Sequence, residues 1–308
     1  MNQNPNTRLS FTNPYLLLTL TTLIWGGNTI AGKLAVGHVS PFSLTFLRWC
    51  VALAILLPFS IPYLRKDWDV IKSNLLFIMA LGFVGFACFN NMMYLSLNYT
   101  TAINAAIIQA SMPLIVFFLN FMIFRINVAG FQLIGFLISL AGVLAVITRG
   151  DFSAITNGTF NIGDLIMLLA ISLYGAYSVM LKEKPQIHLM SLMSVLAFSA
   201  LLGCIPFTLY EVFTQTLLWP DAQGWGVVIF AAIFPSLISQ FSWVMGIEKI
   251  GSNRGGLFIN LVPVFGAFLA IILLNERFQV FHAIGLVLVL GGIALAQRKQ
   301  PPNGKEAA

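Results

Sequence analysis

The sequence predicts an all-α integral membrane protein of ten transmembrane helices, arranged as two inverted five-helix repeats. Three observations predict it. Over 308 residues the composition is 58% hydrophobic and only 8% charged, with a mean hydropathy of +0.90; a water-soluble domain is about a quarter charged. Apolar windows of about 20 residues, the length that crosses a bilayer as a helix, recur from end to end. The chain also resembles itself when shifted by 150 residues, so that Pro113 falls on Pro263.

The windows place spans at 14–34, 42–63, 73–95, 101–123, 129–148, 162–181, 190–212, 225–246, 251–274 and 281–297. Turn formers interrupt them at His38 to Pro41, Arg65 to Asp69, Arg149 to Gly158, Lys182 to Pro185 and Trp219 to Gly224. Nothing alternates as the strands of a membrane barrel would. The 27 phenylalanines exclude disorder, and the loops are too short to hold a soluble domain.

Basic residues give the orientation. Lys33, Arg48, Arg149 and Arg277 lie towards one side, and the other twelve of the 16 Lys and Arg lie towards the other. Both termini are therefore expected in the cytoplasm, which needs an even number of spans. The net charge of +6 is scattered between apolar runs, with no basic stripe for nucleic acid. Cys50, Cys88 and Cys204 sit inside apolar segments without metal-ligand spacing. The N-terminus does not read as a cleavable signal, because Arg8 is its only basic residue and Trp25-Gly26-Gly27-Asn28 interrupts the apolar run that follows.

The repeat is carried by residues costly to match by chance. At the same shift Gly135 falls on Gly285 and Gly142 on Gly292, and at 149 Trp25-Gly26 falls on Tyr174-Gly175. Five spans are an odd number, so the second copy enters the membrane upside down. The expected organisation is a first repeat over 1–148, an external linker over 149–161, an inverted repeat over 162–297 and a tail over 298–308. Inverted repeats characterise secondary transporters, whose sites lie near the midplane between the halves.

Several strings then resemble a known family. LTTLIWGGNTIAGKLAVGHVSPFSLTFLRW, with Pro41 before the second span and Arg48 within it, is similar to the first span pair of the EamA family of the drug/metabolite transporter superfamily. YLSLNYTTAINAAIIQASMPLIVFFLNFMIF resembles its third and fourth spans. GIEKIGSNRGGLFINLVPVFGAFLAIILLNERFQVFHAIGLVLVLGGIAL resembles the end of its second half. The resemblance implies two inverted five-helix halves and export of amino acids or related small metabolites across the bacterial inner membrane. Within the family the chain is similar to the YddG-like exporters of aromatic and neutral amino acids. It departs from the family after the fourth span, where Arg125-Ile126-Asn127 replaces the acid that the second half keeps as Glu276.

The candidate substrate-binding residues are uncharged polar and aromatic groups near mid-span: Trp25, Asn28, Asn90, Tyr94, Gln109, Tyr174, Tyr177, Gln240, Trp243 and Asn260, with Asn104 as a further polar group of the fourth span. Amides and phenols pair with either end of a zwitterion, and aromatic faces hold an ammonium or another ring. Gating or structural roles are expected for Arg48 and Glu276, which could pair with each other (or Arg48 with Asp164), and for Pro113, Pro235 and Pro263, which kink helices mid-span. Spans 2 and 7, poor in polar residues, are expected to face lipid. The glycines of spans 5 and 10 are expected to brace each half internally.

The expected partners are a small-molecule substrate and the bilayer. No cofactor, metal or nucleic acid is implied. No ionisable group sits at the centre of a span, so gradient-driven export is favoured over proton coupling. The alternatives are a nucleotide-sugar or drug carrier, which would want paired cations for phosphates, and a membrane-embedded enzyme, which would want convergent catalytic groups.

Overall fold

The computed structural model describes residues 13–125, 130–151 and 153–297, and among them every regular element is a helix. Arg8, Ile126, Asn127 and the tail beyond Gln297 lie outside these residues. Among the described residues eight helices are long and apolar enough to cross a membrane: α2 (Pro41–Lys66), α3 (Leu75–Ser96), α4 (Ala102–Ile123), α5 (Gly130–Ile147), α6 (Ile162–Glu183), α7 (Leu189–Phe213), α8 (Ala222–Ile250) and α9 (Leu257–Leu274). Two others flank them. α1 (Pro14–Leu34) is 21 residues long but diluted by Thr21, Thr22, Asn28, Thr29 and Lys33, and α10 (Val280–Ala296) is apolar but 17 residues long. One-turn or two-turn helices at Trp68–Ser73, Ser153–Asn157 and Ser252–Gly255 fill loops.

Local sequence sets the ends. α1 starts with Asn13 accepting from the Tyr15 N–H and with proline in its first turn. α4 starts with Thr101 accepting from the Asn104 N–H. α4 and α9 both stop on a left-handed residue, Arg125 (φ 50°) and Asn275 (φ 53°), 150 positions apart.

Packing is reciprocal between the two parts of the chain. α1 lies mainly against α8 and α9, whereas α6 lies against α3 and α4. α2 also touches α8, and α7 touches α3. α2 pairs with α7, α4 with α9 and α5 with α10. The α5–α10 pair corrects the expectation for the glycines: they do not brace each half but join the two. A Cβ on Gly292 would sit 2.4 Å from Gly135 O, and one on Gly142 would sit 2.8 Å from Gly285 O. The contacts run in opposite order along the two helices, so the pair is antiparallel. Ser139 Oγ donates to Val289 O at 2.8 Å within the same seam.

α2 and α7 are likewise antiparallel, and each ends in a carboxylate that holds the start of the other. Glu211, 3% exposed, accepts from the N–H groups of Phe42 and Ser43 and from the hydroxyls of Ser40 and Ser43, all within 3.0 Å. Asp67 accepts from the His188 N–H (2.8 Å) and the Ser191 hydroxyl (2.7 Å). The Ser191 hydroxyl and the His188 N–H hold its carboxyl below the usual carboxylate range.

Two helices are locally unwound. α3 passes through a π-helical turn at Phe83–Cys88 and α8 through one at Phe234–Ile238. π-turns of this kind are frequent at functional sites. Pro235 explains the second, since it has no N–H for the Ala231 carbonyl. No proline marks the first. There Gly85 lets α3 approach α6 so closely that a Cβ would meet the Tyr177 ring at 2.3 Å.

Candidate functional site

A cavity of about 550 Å³ lies between the two parts of the chain. α1, α2, α3, α4, α6, α7, α8 and α9 all contribute to its wall. Nine of the ten candidate binding residues line it: Trp25, Asn28, Asn90, Gln109, Tyr174, Tyr177, Gln240, Trp243 and Asn260. Pro113, Pro235, Pro263 and Arg48 line it as well. The rings of Trp25 and Trp243 approach to 5.2 Å across it, and Phe89 packs on Tyr174 at 4.7 Å.

Tyr94 does not reach the wall. It is buried behind it, where its hydroxyl accepts from Arg48 Nη1 (2.7 Å) and donates to Asn28 Oδ1 (3.0 Å). From there it bonds two residues of the wall. Met93 lies between Asn28 and Gln109, with its sulfur 3.9 Å from both amide nitrogens.

Arg48 corrects two expectations. α2 does not merely face lipid, because Arg48 and Trp49 stand in the cavity wall, and α7 adds Leu189, Leu192 and Met193. Nor does Arg48 pair with Glu276 or Asp164. Its Nε donates to Ser236 Oγ and its Nη1 to Asn90 Oδ1, each at 2.7 Å. Each acceptor is tied to an unwound turn by its own side chain. Asn90 Nδ2 donates back to Phe86 O (2.6 Å), and Ser236 Oγ donates to Ala231 O (2.7 Å), the carbonyl Pro235 leaves without a donor. One guanidinium is thus gripped by α3 and by α8.

The cavity reaches one end of the bundle, where Leu181, Lys184, Leu189 and Gln297 form its margin. The opposite end is closed by bonds between loops and helix ends. Lys33 Nζ donates to Leu97 O and Thr100 O, each at 2.7 Å. Glu276 lies there rather than on the cavity and accepts from the N–H groups of Ala102 (2.7 Å) and Ile103 (2.9 Å), capping α4. Asp164, fully buried, accepts from the Thr100 hydroxyl and from Asn104 Nδ2. Asn104 therefore belongs to this seal and not to the cavity. His282 completes the cluster: its Nδ1 accepts from the Gln279 N–H (2.9 Å), so Nε2 carries the proton given to Asn104 Oδ1 (2.8 Å).

Much of the apolar wall, including Trp49, Phe89, Met93 and Met112, carries no mark in the sequence. In so apolar a chain these side chains look the same whether they face lipid, core or cavity.

Comparison with known proteins agrees with this architecture. The chain is similar to two uncharacterized transporters of Bacillus subtilis: YyaM, 28% identical over 92% of this chain and 93% of that protein, and YetK, 25% identical over 93% and 88%. An uncharacterized transporter of Archaeoglobus fulgidus is 26% identical over 93% of this chain and 98% of its own length. A solved crystal structure shares the fold with a TM-score of 0.61 at 20% identity, covering 92% of this chain and 96% of that one. The EamA-like transporter family matches the sequence twice, over residues 12–148 and 161–297, and the chain belongs to that family.

Proposed function

We propose that this chain is a ten-span secondary transporter of the bacterial inner membrane that exports amino acids, aromatic or neutral, or related small metabolites by alternating access. Two halves, 1–148 and 162–297, joined by an external linker over 149–161, rock about the cavity between them. The second half is inverted relative to the first, and both termini, with the tail over 298–308, are cytoplasmic. The reciprocal neighbours of α1 and α6 and the antiparallel pairs α2–α7 and α5–α10 support the inversion. The twelve basic residues on one side support the orientation.

The cavity carries this reading. Both halves build it, it is closed at one end, and its wall mixes amides with aromatic faces. Trp25, Asn28, Asn90, Gln109, Tyr174, Tyr177, Gln240, Trp243 and Asn260 would contact substrate, with Tyr94 positioning them. Glu276, through α4, would close the outer gate. Pro113, Pro235 and Pro263 would be the points where helix halves swing. Among the described residues no carboxylate lines the cavity, which supports movement down a gradient without obligatory proton coupling. The cation set argues against a nucleotide-sugar carrier, since Lys33 is spent on carbonyls outside the cavity. The family and its relatives' names point to transport and give the enzyme reading no support.

Flux of labelled amino acids into vesicles of purified protein, with and without a pH gradient, tests it. Saturable uptake that is indifferent to the gradient is expected. No uptake of any member would overturn it.

A further inference from the structure

We infer that Arg48 is the recognition point for a carboxylate, so that the cavity selects small organic acids with one anionic group and an apolar body, amino acids among them. The inference rests on the transport reading of the same cavity and narrows its substrate.

Arg48 is 5% exposed and stands in the cavity wall. All its described partners are neutral: Ser236, Asn90, Tyr94 and the Trp49 ring, 5.2 Å from the guanidinium carbon. It makes no ion pair among the described residues. A buried guanidinium without a counter-ion is costly, because the desolvation penalty is left unanswered. Here three neutral acceptors fix Nε and Nη1, while Nη2 has no hydrogen-bond partner among the described residues. The group is therefore rigid, correctly presented and short of one anion, which is how arginine sites for carboxylates are built.

The rest of the cavity fixes the kind of anion. Lys184 is the second cation in its wall and stands at the open margin, where it adds attraction for anions entering from that side. With a single deep cation the site suits one carboxylate and not a polyphosphate. Trp25, Trp243, Phe89 and Tyr174 supply a wall for an apolar body. An amine lacking the carboxylate would meet two positive charges and no negative one among the described residues.

The test uses three compounds sharing one ring: phenylalanine, 3-phenylpropanoate and 2-phenylethylamine. Binding to purified full-length protein is read by quenching of tryptophan fluorescence, and flux is read separately in vesicles. The two carboxylates are expected to bind at least tenfold more tightly than the amine. In Arg48→Gln the acid is expected to lose at least tenfold while the amine holds or gains, and Arg48→Lys is expected to fall between. Equal binding of acid and amine by the wild type would overturn the inference, and needs no variant to fold. So would failure of either carboxylate to bind, or a well-folded Arg48→Gln with wild-type affinity for the acid. Flux of all three compounds alike would overturn it and leave the transport reading standing. Arg48-dependent binding of the acids without any flux would do the reverse.

Discussion

Glu211 and Asp67 hold each other's helices: the last turn of α7 caps the first turn of α2 through Glu211, and the residue that ends α2 caps α7 in return. The two clasps sit at opposite ends of one antiparallel pair, and they differ in depth. Glu211 is buried with four donors around it, whereas Asp67 is half-buried with two.

Glu211→Ala leaves the Phe42 and Ser43 N–H groups and the Ser43 hydroxyl unmatched in a buried place. It should destabilise the protein by roughly 2–4 kcal/mol. Thermal unfolding in detergent, compared with Asp67→Asn, checks this, and the smaller loss should come from Asp67→Asn.

Asp67 also gives a pH dependence. Its folded pKa lies below the ordinary carboxylate value, so its contribution is present above that ordinary value, about pH 4, and is lost as the pH falls through the lowered folded one. The stability of the wild type minus that of Asp67→Asn should therefore be constant near neutrality and shrink under acid. A difference that grows on acidification would contradict the clasp.

The α5–α10 seam makes a paired prediction. A Cβ on Gly292 would sit 2.2 Å from Ser139 Oγ and 2.4 Å from Gly135 O, whereas no described residue lies within 4 Å of one on Gly291. Gly292→Ala should cost about 1–3 kcal/mol as an overpacked site. Gly291→Ala, one residue away, should melt like the wild type.

Pro235→Ala restores an N–H that can take the Ala231 carbonyl. Ser236 then loses its reason to face inwards, and Arg48 loses one of its three acceptors. Flux should fall several-fold while thermal stability changes little. A loss of both together would indicate plain misfolding.

Lys33→Met removes both bonds that tie the α3–α4 loop to α1. The closed end should open more often, a shift in population and not a new state. Labelling of an introduced Gln109→Cys by a maleimide confined to that side should speed up relative to the same cysteine in the wild-type background.

Most of the architecture was legible because a bilayer allows few solutions: long apolar windows must be helices. The polar residues of the cavity wall were legible for the converse reason, since Asn28, Gln109 or Gln240 stand out against an apolar background. Tyr94 shows the limit of that logic. A polar residue at mid-depth can serve the wall from behind, and only its bonds to Asn28 and Arg48 reveal this. The π-turn of α3 was not legible, having no proline, because it arises where Gly85 meets Tyr177 across helices. The spacing of the glycines at 135, 142, 285 and 292 reports close contacts, and those contacts join the two halves. Spacing reports that a face is small, but it does not report whose face it meets. Glu276 and Asp164 were visible as end charges, yet the backbone N–H groups and hydroxyl they satisfy belong to distant segments.

The exchanged packing of α1 has a consequence for how the chain is made. Its main neighbours, α8 and α9, begin at Ala222 and Leu257, whereas α1 ends at Leu34. A ribosome adding about 5–20 residues per second needs on the order of ten to forty seconds to cover that interval. For that time the newborn first helix floats in lipid without its principal partners, its threonines and Asn28 uncovered. Insertion machinery that shelters early helices would then matter more for this chain than for one whose neighbours emerge in order.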